Sequence, residues 1–181
     1  MSEQTSQSER DEFREYCQRW LEENRPPPTK IPLPQNAYEV TFHDHRTYLC
    51  DWQAKCYEAQ LIGTDVPQDY GGHGHTEFQA IASAEVRKAN VPYFINWIGL
   101  GMTAPTLLIH GTEEQKKRFL PPIFSAEEIW CQGFSEPGAG SDLVSLQTSA
   151  IKDGDNWIIN GSKVWTSLGA ISSWMLLLAR N

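Results

Sequence analysis

The chain has 181 residues, with 15 Lys and Arg against 23 Asp and Glu, and a net charge of −8. This length suits one domain, or one domain and part of another, and a hydrophobic content of 40% is enough to form a buried core. The acidic balance argues against a nucleic-acid-binding protein, because phosphate contacts require clustered Lys and Arg side chains.

Membrane and secretory segments are not expected. The longest apolar run, residues 174–179, is far shorter than the roughly 18 residues that a membrane span requires. The N-terminal segment is polar and lacks the apolar stretch of a secretory signal. The cysteines form no C-x-x-C pair, so we expect reduced, buried thiols and a cytoplasmic protein. They are Cys17, Cys50, Cys56 and Cys131.

Helical patterns fill the first 125 residues. In residues 9–24, apolar side chains such as Phe13, Cys17 and Trp20 recur at helical spacing. Further helices are predicted at 47–61, 76–89, 93–110 and 112–120. The proline-rich segment 25–34 predicts an irregular surface connection, with a polyproline ligand for a partner as the alternative.

Several residues predict where these helices begin and end. Thr76 and Thr112 each stand three residues before a Gln, which is the spacing of a capping box. Gly111 is expected to end the fourth helix in a left-handed conformation, and Pro121-Pro122 to end the fifth. Residues 93–110 are apolar nearly all round, which predicts a helix buried inside a bundle.

The pattern becomes β-like from about residue 126. The extended segments are 129–134, 146–151, 162–166 and 173–179. Asp153-Gly154 and Asn160-Gly161 are typical of hairpin turns and flank a short apolar run. The sequence therefore predicts an α+β fold, with a helical bundle at 1–125 and the first part of an antiparallel β-meander or barrel at 126–181.

The segment 130–143 is the strongest candidate for a binding loop. Gly138 and Gly140 have no side chains to keep a ligand away, and their N–H groups, with the hydroxyl of Ser141, could hold a phosphate. A simple chain-reversing turn is the alternative. The spacing does not fit G-x-G-x-x-G, and no Gly-Lys-Ser/Thr of a P-loop follows.

Two H-x-H pairs could in principle supply metal ligands. His43 and His45 form one pair, and His73 and His75 form the other. No cysteine or carboxylate with suitable ligand spacing accompanies them, so no metal site is predicted. The sequence also lacks a G-x-S-x-G elbow, which leaves hydrolase chemistry without support.

Four segments together resemble one enzyme family. Gly133-Phe-Ser-Glu-Pro-Gly-Ala-Gly-Ser-Asp142 closely resembles the first signature of the flavin-dependent acyl-CoA dehydrogenases. The segments at 66–72, 111–121 and 160–167 resemble three other parts of that family, in the same order and at similar spacing. The resemblance implies a helical N-terminal domain followed by part of a middle β domain.

The resemblance also implies a bound FAD and assigns its contacts. Gln132 and the backbone of Gly133 and Phe134 would border the isoalloxazine and ribityl groups, and Ser135 would bond the pyrimidine edge. The turn at Gly140 and Ser141 would hold the pyrophosphate, and Ser141 would also approach the CoA side of the substrate. Trp165 would pack against the flavin, and Thr166 or Ser167 would place a hydroxyl near its reactive nitrogen.

The implied reaction is the α,β-dehydrogenation of an acyl-CoA thioester to a trans-2-enoyl-CoA. A carboxylate removes the α proton while a hydride leaves the β carbon for the flavin. In the family this base is a glutamate of a C-terminal helical domain, so no catalytic residue is assigned here. Glu136 is interpreted as a solvated or loop-bracing group. We therefore expect these 181 residues alone to lack turnover.

Partners follow from the same resemblance. Reduced flavin would pass its electrons to an acceptor of the electron-transfer flavoprotein type, and the full-length protein would form a homotetramer or homodimer. Two alternatives remain open at this point. The first is a naturally short, non-catalytic chain that binds flavin, an acyl thioester or a partner subunit. The second is an acyl-CoA oxidase-like flavoenzyme.

Overall fold

The computed structural model describes residues 6–40, 42–75 and 77–181. The chain divides into two compact units, Met1–Glu128 and Ile129–Asn181. Among these described residues, the first unit contains helices and the strands lie in the second, which confirms the predicted α+β order with an incomplete, unclosed sheet. The capping box predicted at Thr76 lies outside the described residues.

Five α-helices lie in the described part of the first unit. They are α1 (Gln7–Glu23), α2 (His43–Glu58), α3 (Phe78–Lys88), α4 (Ala104–His110) and α5 (Glu113–Phe124). Three-residue 3-10 turns occupy Ala37–Glu39 and Gln68–Tyr70, and a π-helical turn occupies Gly99–Thr103.

The helix α1 begins at a capping box and ends before the proline-rich connection. The Ser6 hydroxyl accepts from the Glu9 N–H, and the Glu9 carboxylate accepts from the Ser6 N–H. Its apolar side packs inward, with Cys17 and Leu21 buried. Residues 25–34 are irregular, as predicted for the surface connection.

A buried amide pair ties α2 to the end of α5. The Gln53 side chain donates to the carbonyls of Ile123 and Phe124 at 3.1 Å each, and its oxygen accepts from the Asn96 N–H at 3.1 Å. The Asn96 amide donates to the carbonyls of Ile123 and Glu128 at 3.0 Å each. These bonds satisfy carbonyls at a helix C-terminus, which have no partner within the helix itself.

The prediction for residues 93–110 is wrong in two respects. Helical geometry begins only at Trp97, because the Pro92 carbonyl accepts from the Trp52 indole and the Asn96 N–H is bonded by Gln53. The helix is not buried all round either, since Trp97 is 39% exposed and Ile109 is 74% exposed. One face of this apolar helix therefore remains open within the described unit.

Two predicted helix ends also differ from the structure. Gly111 has a φ of −71°, outside the left-handed region. Glycine avoids a steric clash at this position, because a Cβ would lie 2.6 Å from the Leu107 carbonyl oxygen. Pro121 and Pro122 lie inside α5, which continues to Phe124 because Ile123 and Phe124 are buried and bonded by Gln53.

The second unit has two two-stranded sheets among its described residues. Its strands are β1 (Trp130–Gly133), β2 (Ser149–Asp153), β3 (Asn156–Asn160) and β4 (Trp174–Leu177). A 3-10 turn occupies Leu143–Ser145. The strands β2 and β3 form the hairpin predicted at Asp153-Gly154, with Gly154 at a φ of +58°.

The prediction of an antiparallel meander is wrong outside that hairpin. The strands β1 and β4 pair in parallel, with Trp130 opposite Trp174 and Gly133 opposite Leu177. Residues 162–166 form no strand, and Asn160-Gly161 makes no hairpin turn. The physical reason is that the segment after Gly161 bonds instead to the loop after β1, through Lys163 and Val164.

Candidate functional site

The candidate loop starts where β1 ends and is built around a tight turn. The Glu136 N–H donates to the Ala139 carbonyl at 2.8 Å, and the Ala139 N–H donates back to the Glu136 carbonyl at 3.1 Å. Ala139 is buried, whereas Pro137 and Gly138 are exposed at the tip of the turn. The turn therefore has one anchored residue and an accessible tip.

Glu136 braces this turn from inside. Its carboxylate accepts from the N–H groups of Gln147 and Thr148, at 2.6 and 2.8 Å, and from the Lys163 ammonium at 2.8 Å. Lys163, then Thr148 and Gln147, lower the pKa of Glu136 to about 2. The carboxylate is therefore ionised and fully engaged, which agrees with its interpretation as a loop-bracing group and leaves it unsuited to proton abstraction near neutral pH.

Lys163 joins the two segments that the sequence assigned to one site. Its ammonium also donates to the Phe134 carbonyl at 2.9 Å, and the side chains of Lys163 and Glu136 are only 7% and 6% exposed. The next residue continues the contact, because the Val164 N–H donates to the Ser135 carbonyl at 2.9 Å. Residues 134–136 and 163–164 therefore lie side by side.

The structure thus places Trp165, Thr166 and Ser167 directly after the segment that contacts Ser135. Trp165 is 86% exposed and has a φ of +57°, in the left-handed region that residues other than glycine seldom adopt. Thr166 and Ser167 are half-buried, and the Ser167 N–H donates to the Trp165 carbonyl at 2.9 Å. This tight turn presents a large indole to the surface.

The glycines of the loop differ in what surrounds them. A Cβ on Gly133 would lie 2.5 Å from the Met175 sulfur, so a side chain there would have to displace the Met175 side chain. A Cβ on Gly138 or Gly140 would meet no atom within 4 Å, and neither residue has a positive φ. Packing and backbone geometry therefore leave Gly138 and Gly140 unexplained, whereas a ligand approaching the backbone would explain them.

The remaining predicted residues lie around this loop. Gln132 is half-buried on β1, opposite Leu176 of β4. Ser141 is exposed, one residue beyond Gly140. The structure therefore brings Phe134 and Ser135 against the segment that leads to Trp165, and Ser141 lies exposed beyond the turn.

Sequence reasoning missed Lys163 and Arg180 as supports of the site. The Arg180 guanidinium donates to the carbonyls of Leu146 and Val144, and its backbone pairs with Thr148 and Ala150. The available signal for Lys163 was a lysine within a strand-like segment, since a charge that becomes buried requires a partner. Nothing local in the sequence indicates which carboxylate it meets.

Comparison with known proteins identifies the family. Residues 7–127 match the acyl-CoA dehydrogenase N-terminal domain, and residues 131–181 match the acyl-CoA dehydrogenase middle domain. The chain belongs to the acyl-CoA dehydrogenase family. The resemblance stated from the sequence is thereby confirmed.

Individual members of the family support this assignment. Acyl-CoA dehydrogenase IpdE1 of Mycobacterium tuberculosis (strain ATCC 25618 / H37Rv) is 39% identical over 175 residues, which are 94% of this chain and 44% of that protein. The solved structure titled Tcur3481-Tcur3483 steroid ACAD has a TM-score of 0.71 at 29% identity, over 98% of this chain and 44% of that one.

The ChsE4–ChsE5 complex from Mycobacterium tuberculosis is also similar, with a TM-score of 0.70 at 28% identity, over 99% of this chain and 44% of that one. The chain therefore spans less than half the length of these acyl-CoA dehydrogenase relatives.

The second H-x-H pair of this acyl-CoA dehydrogenase chain makes ordinary hydrogen-bonding contacts. A ring nitrogen of His73 lies 3.1 Å from the Tyr57 carbonyl, and one of His75 lies 3.1 Å from the Gln60 side-chain oxygen. Across residues 6–40, 42–75 and 77–181, no group of three or more His, Cys, Asp or Glu side chains is arranged to hold a metal ion.

The thiols and the helices complete the description of this family member. Cys17, Cys56 and Cys131 are buried and Cys50 is half-buried, and all four are free thiols. Burial raises the pKa of Cys17 to about 12, which keeps that thiol protonated. No helix in the described part of the chain has the length and apolar character needed to cross a bilayer.

Proposed function

We propose that this chain supplies the flavin- and substrate-contacting segments of an FAD-dependent enzyme that converts an acyl-CoA thioester to a trans-2-enoyl-CoA. One observation carries the proposal: Lys163 and Val164 fasten the segment before Trp165 to the loop at Phe134 and Ser135. Both segments had been assigned to flavin contact from separate motifs.

The residues of the loop fit such a cofactor. Gly138 and Gly140 leave space where any side chain would stand between the backbone and a ligand, and Ser141 offers an exposed hydroxyl beside them. We propose that the FAD contacts are Gln132, Gly133, Phe134, Ser135, Gly140, Ser141, Trp165, Thr166 and Ser167. We propose Ser141 as a substrate contact as well.

The chemistry assigned to the chain's own residues is binding and orientation. FAD, when bound, supplies a hydride acceptor for the β carbon of the acyl group. Ser135 and the hydroxyl of Thr166 or Ser167 would donate hydrogen bonds to the flavin, and the Trp165 indole would pack against it. Glu136 holds the turn and is not proposed as the base, because its carboxylate is bound by Lys163 with a pKa of about 2.

The proposal extends to domains and partners. Residues 1–125 would form the helical domain and 126–181 the beginning of the FAD-binding β domain. The acceptor of the electrons would be of the electron-transfer flavoprotein type, the protein would work in the cytoplasm, and it would assemble as a homotetramer or homodimer. One similar structure is titled a complex of ChsE4 and ChsE5. A hetero-oligomer is therefore the alternative to the proposed homo-oligomer.

Flavin content and turnover test the proposal. The protein that carries these residues should purify yellow, and an acyl-CoA should reduce its flavin and an artificial electron acceptor. The panel should span several chain lengths and include ring-bearing acyl groups, because one similar structure is titled a steroid ACAD. If no acyl-CoA of the panel reduces the flavin, the proposal is contradicted. Oxygen consumption with peroxide formation would indicate an acyl-CoA oxidase instead of a dehydrogenase.

A further inference from the structure

The first unit contains a cavity that the flavin proposal does not use. It has a volume of about 650 Å³, within the range of about 300 to 1,000 Å³ that is usual for small-molecule sites. Apolar side chains from the 62–66 connection, the α4 region and α5 form most of its wall. They include Ile62, Val66, Trp97, Leu100, Leu108 and Phe124.

The π-helical turn at Gly99–Thr103 contributes Leu100 and Gly101 to the cavity wall. Trp97, Gly101 and Pro105 follow one another at four-residue intervals on the open face of this helix, and all three line the cavity. A Cβ on Gly101 would meet no atom within 4 Å. Glycine at position 101 therefore enlarges the cavity, although the packing of the unit does not require a glycine there.

One wall of the cavity is polar and consists of hydrogen-bond donors. Gln79, Ser83 and Arg87 line it at successive turns of α3. The Gln79 amide is occupied, because it bonds Thr64, the Leu61 carbonyl and the Ser83 oxygen. The Ser83 oxygen accepts that bond, so the hydroxyl proton remains to be donated.

Arg87 gives this wall its charge. Arg87 is exposed at the rim, and none of the described residues that line the cavity is Asp or Glu. A guanidinium provides several N–H donors and no acceptor. The cavity thus presents an apolar body and, on α3, hydrogen-bond donors.

We propose that Arg87 and Ser83 make this cavity selective for an apolar ligand that carries an oxygen acceptor, a carbonyl or a carboxylate. An oxygen acceptor would gain a charge-assisted hydrogen bond from Arg87 and a hydrogen bond from Ser83, whereas a hydrocarbon of the same size would gain neither. If the proposed function holds, the ligand is the acyl group of the substrate, and the enzyme acts on acyl groups with an oxygen remote from the thioester.

Three small probes of similar size test the selectivity without CoA or FAD. They are 3-cyclohexylpropanoate, 4-cyclohexylbutan-2-one and butylcyclohexane, titrated into the chain by ligand-detected NMR. We expect the two oxygen-bearing probes to bind about tenfold more tightly than the hydrocarbon. Tighter binding of the carboxylate indicates an anionic acyl group, and tighter binding of the ketone a neutral one. Equal binding of all three would overturn the proposal.

Substitutions connect the selectivity to the cavity. Arg87→Met should remove about tenfold of the affinity for 3-cyclohexylpropanoate and leave butylcyclohexane unchanged. Arg19→Met removes the same charge from an exposed site on α1, outside the cavity, and should change neither. Gly101→Leu should fill the space and abolish binding of every probe without unfolding the chain.

Contrary results have separate meanings. Unchanged affinity in Arg87→Met, or probe binding that survives Gly101→Leu, would overturn the cavity assignment. Neither result depends on flavin, so a chain that binds the probes but never binds FAD would contradict the proposed function alone.

Discussion

The two compact units are stabilised in different ways. The helical unit buries large apolar side chains completely, among them Leu49, Leu61 and Ile98, and places amide bonds at the end of α5. The second unit leaves Trp157 at 51% and Ile159 at 52% exposure, and its binding loop depends on the Glu136–Lys163 pair. Apolar packing therefore stabilises the helices, whereas charged hydrogen bonds stabilise the candidate flavin loop.

The largest expected effect lies in the helical unit. Gln53→Leu removes a donor to the Phe124 carbonyl and the acceptor of the Asn96 N–H, both in a buried setting. We expect the free energy of unfolding to fall by about 3 kcal/mol. Urea denaturation measures this change. Gln35→Leu, at an exposed position, should have almost no effect, and equal stability of the two variants would contradict the role of the amide pair.

The Glu136–Lys163 pair is the corresponding feature of the second unit. Glu136→Gln should destabilise residues 129–181 and leave the helical unit intact, because it leaves a buried ammonium without its carboxylate. Urea unfolding followed through NMR signals of each unit separates the two. Asp155→Asn, in the exposed hairpin turn, is the matched control. Uniform destabilisation of both units would remove the contrast between them.

The same pair predicts a dependence on pH. Because the pKa of Glu136 is lowered from 4.5 to about 2 in the folded chain, its contribution is complete above about pH 4.5 and is lost as the pH falls toward 2. The difference in unfolding free energy between the wild type and Glu136→Gln should therefore shrink across this interval. A difference that stays constant from neutral pH to pH 2 would contradict the pairing.

Two glycines of the candidate loop allow packing and cofactor binding to be tested separately. Gly140→Val should change stability by no more than about 0.5 kcal/mol, because no atom lies near its Cβ, but it should abolish FAD binding. Gly133→Val should cost about 1 to 3 kcal/mol through its contact with Met175. Thermal unfolding and flavin content measure both. Retention of FAD by Gly140→Val would show that the open space is not used by the cofactor.

A modest effect on stability is expected at the start of α5. Thr112→Ala removes the hydroxyl that accepts from the Gln115 N–H at 3.2 Å, and should cost about 1 kcal/mol. Thr106→Ala, within α4, removes only a hydroxyl bonded to the Met102 carbonyl and should cost less. A thermal melt of the two variants side by side checks the difference.

The features predicted correctly from the sequence are those determined by residues close together in the chain. The capping box at Thr112, the hairpin at Gly154 and the apolar stripe of α1 each involve residues within a few positions of one another. The parallel pairing of β1 with β4 joins residues that are far apart in the sequence, and alternation of side chains does not distinguish it from an antiparallel meander.

The candidate site was predictable as motifs but not as an arrangement. The glycine loop and the segment of Trp165 were identified separately, and the resemblance to a family placed both at a flavin. That Lys163 fastens one to the other, and that Trp165 takes a left-handed φ, depends on tertiary contacts. The open face of the helix that begins at Trp97 was missed for a related reason, since an apolar pattern does not show which side a cavity occupies.

Hydrogen exchange with and without saturating FAD tests the central claim most directly. If the two segments hold the cofactor together, FAD should slow exchange at amides 133–141 and 163–167 and leave the hairpin of β2 and β3 unchanged. Protection of only one segment, or protection confined to the hairpin or the helical unit, would contradict the claim that Lys163 and Val164 join them into one flavin site.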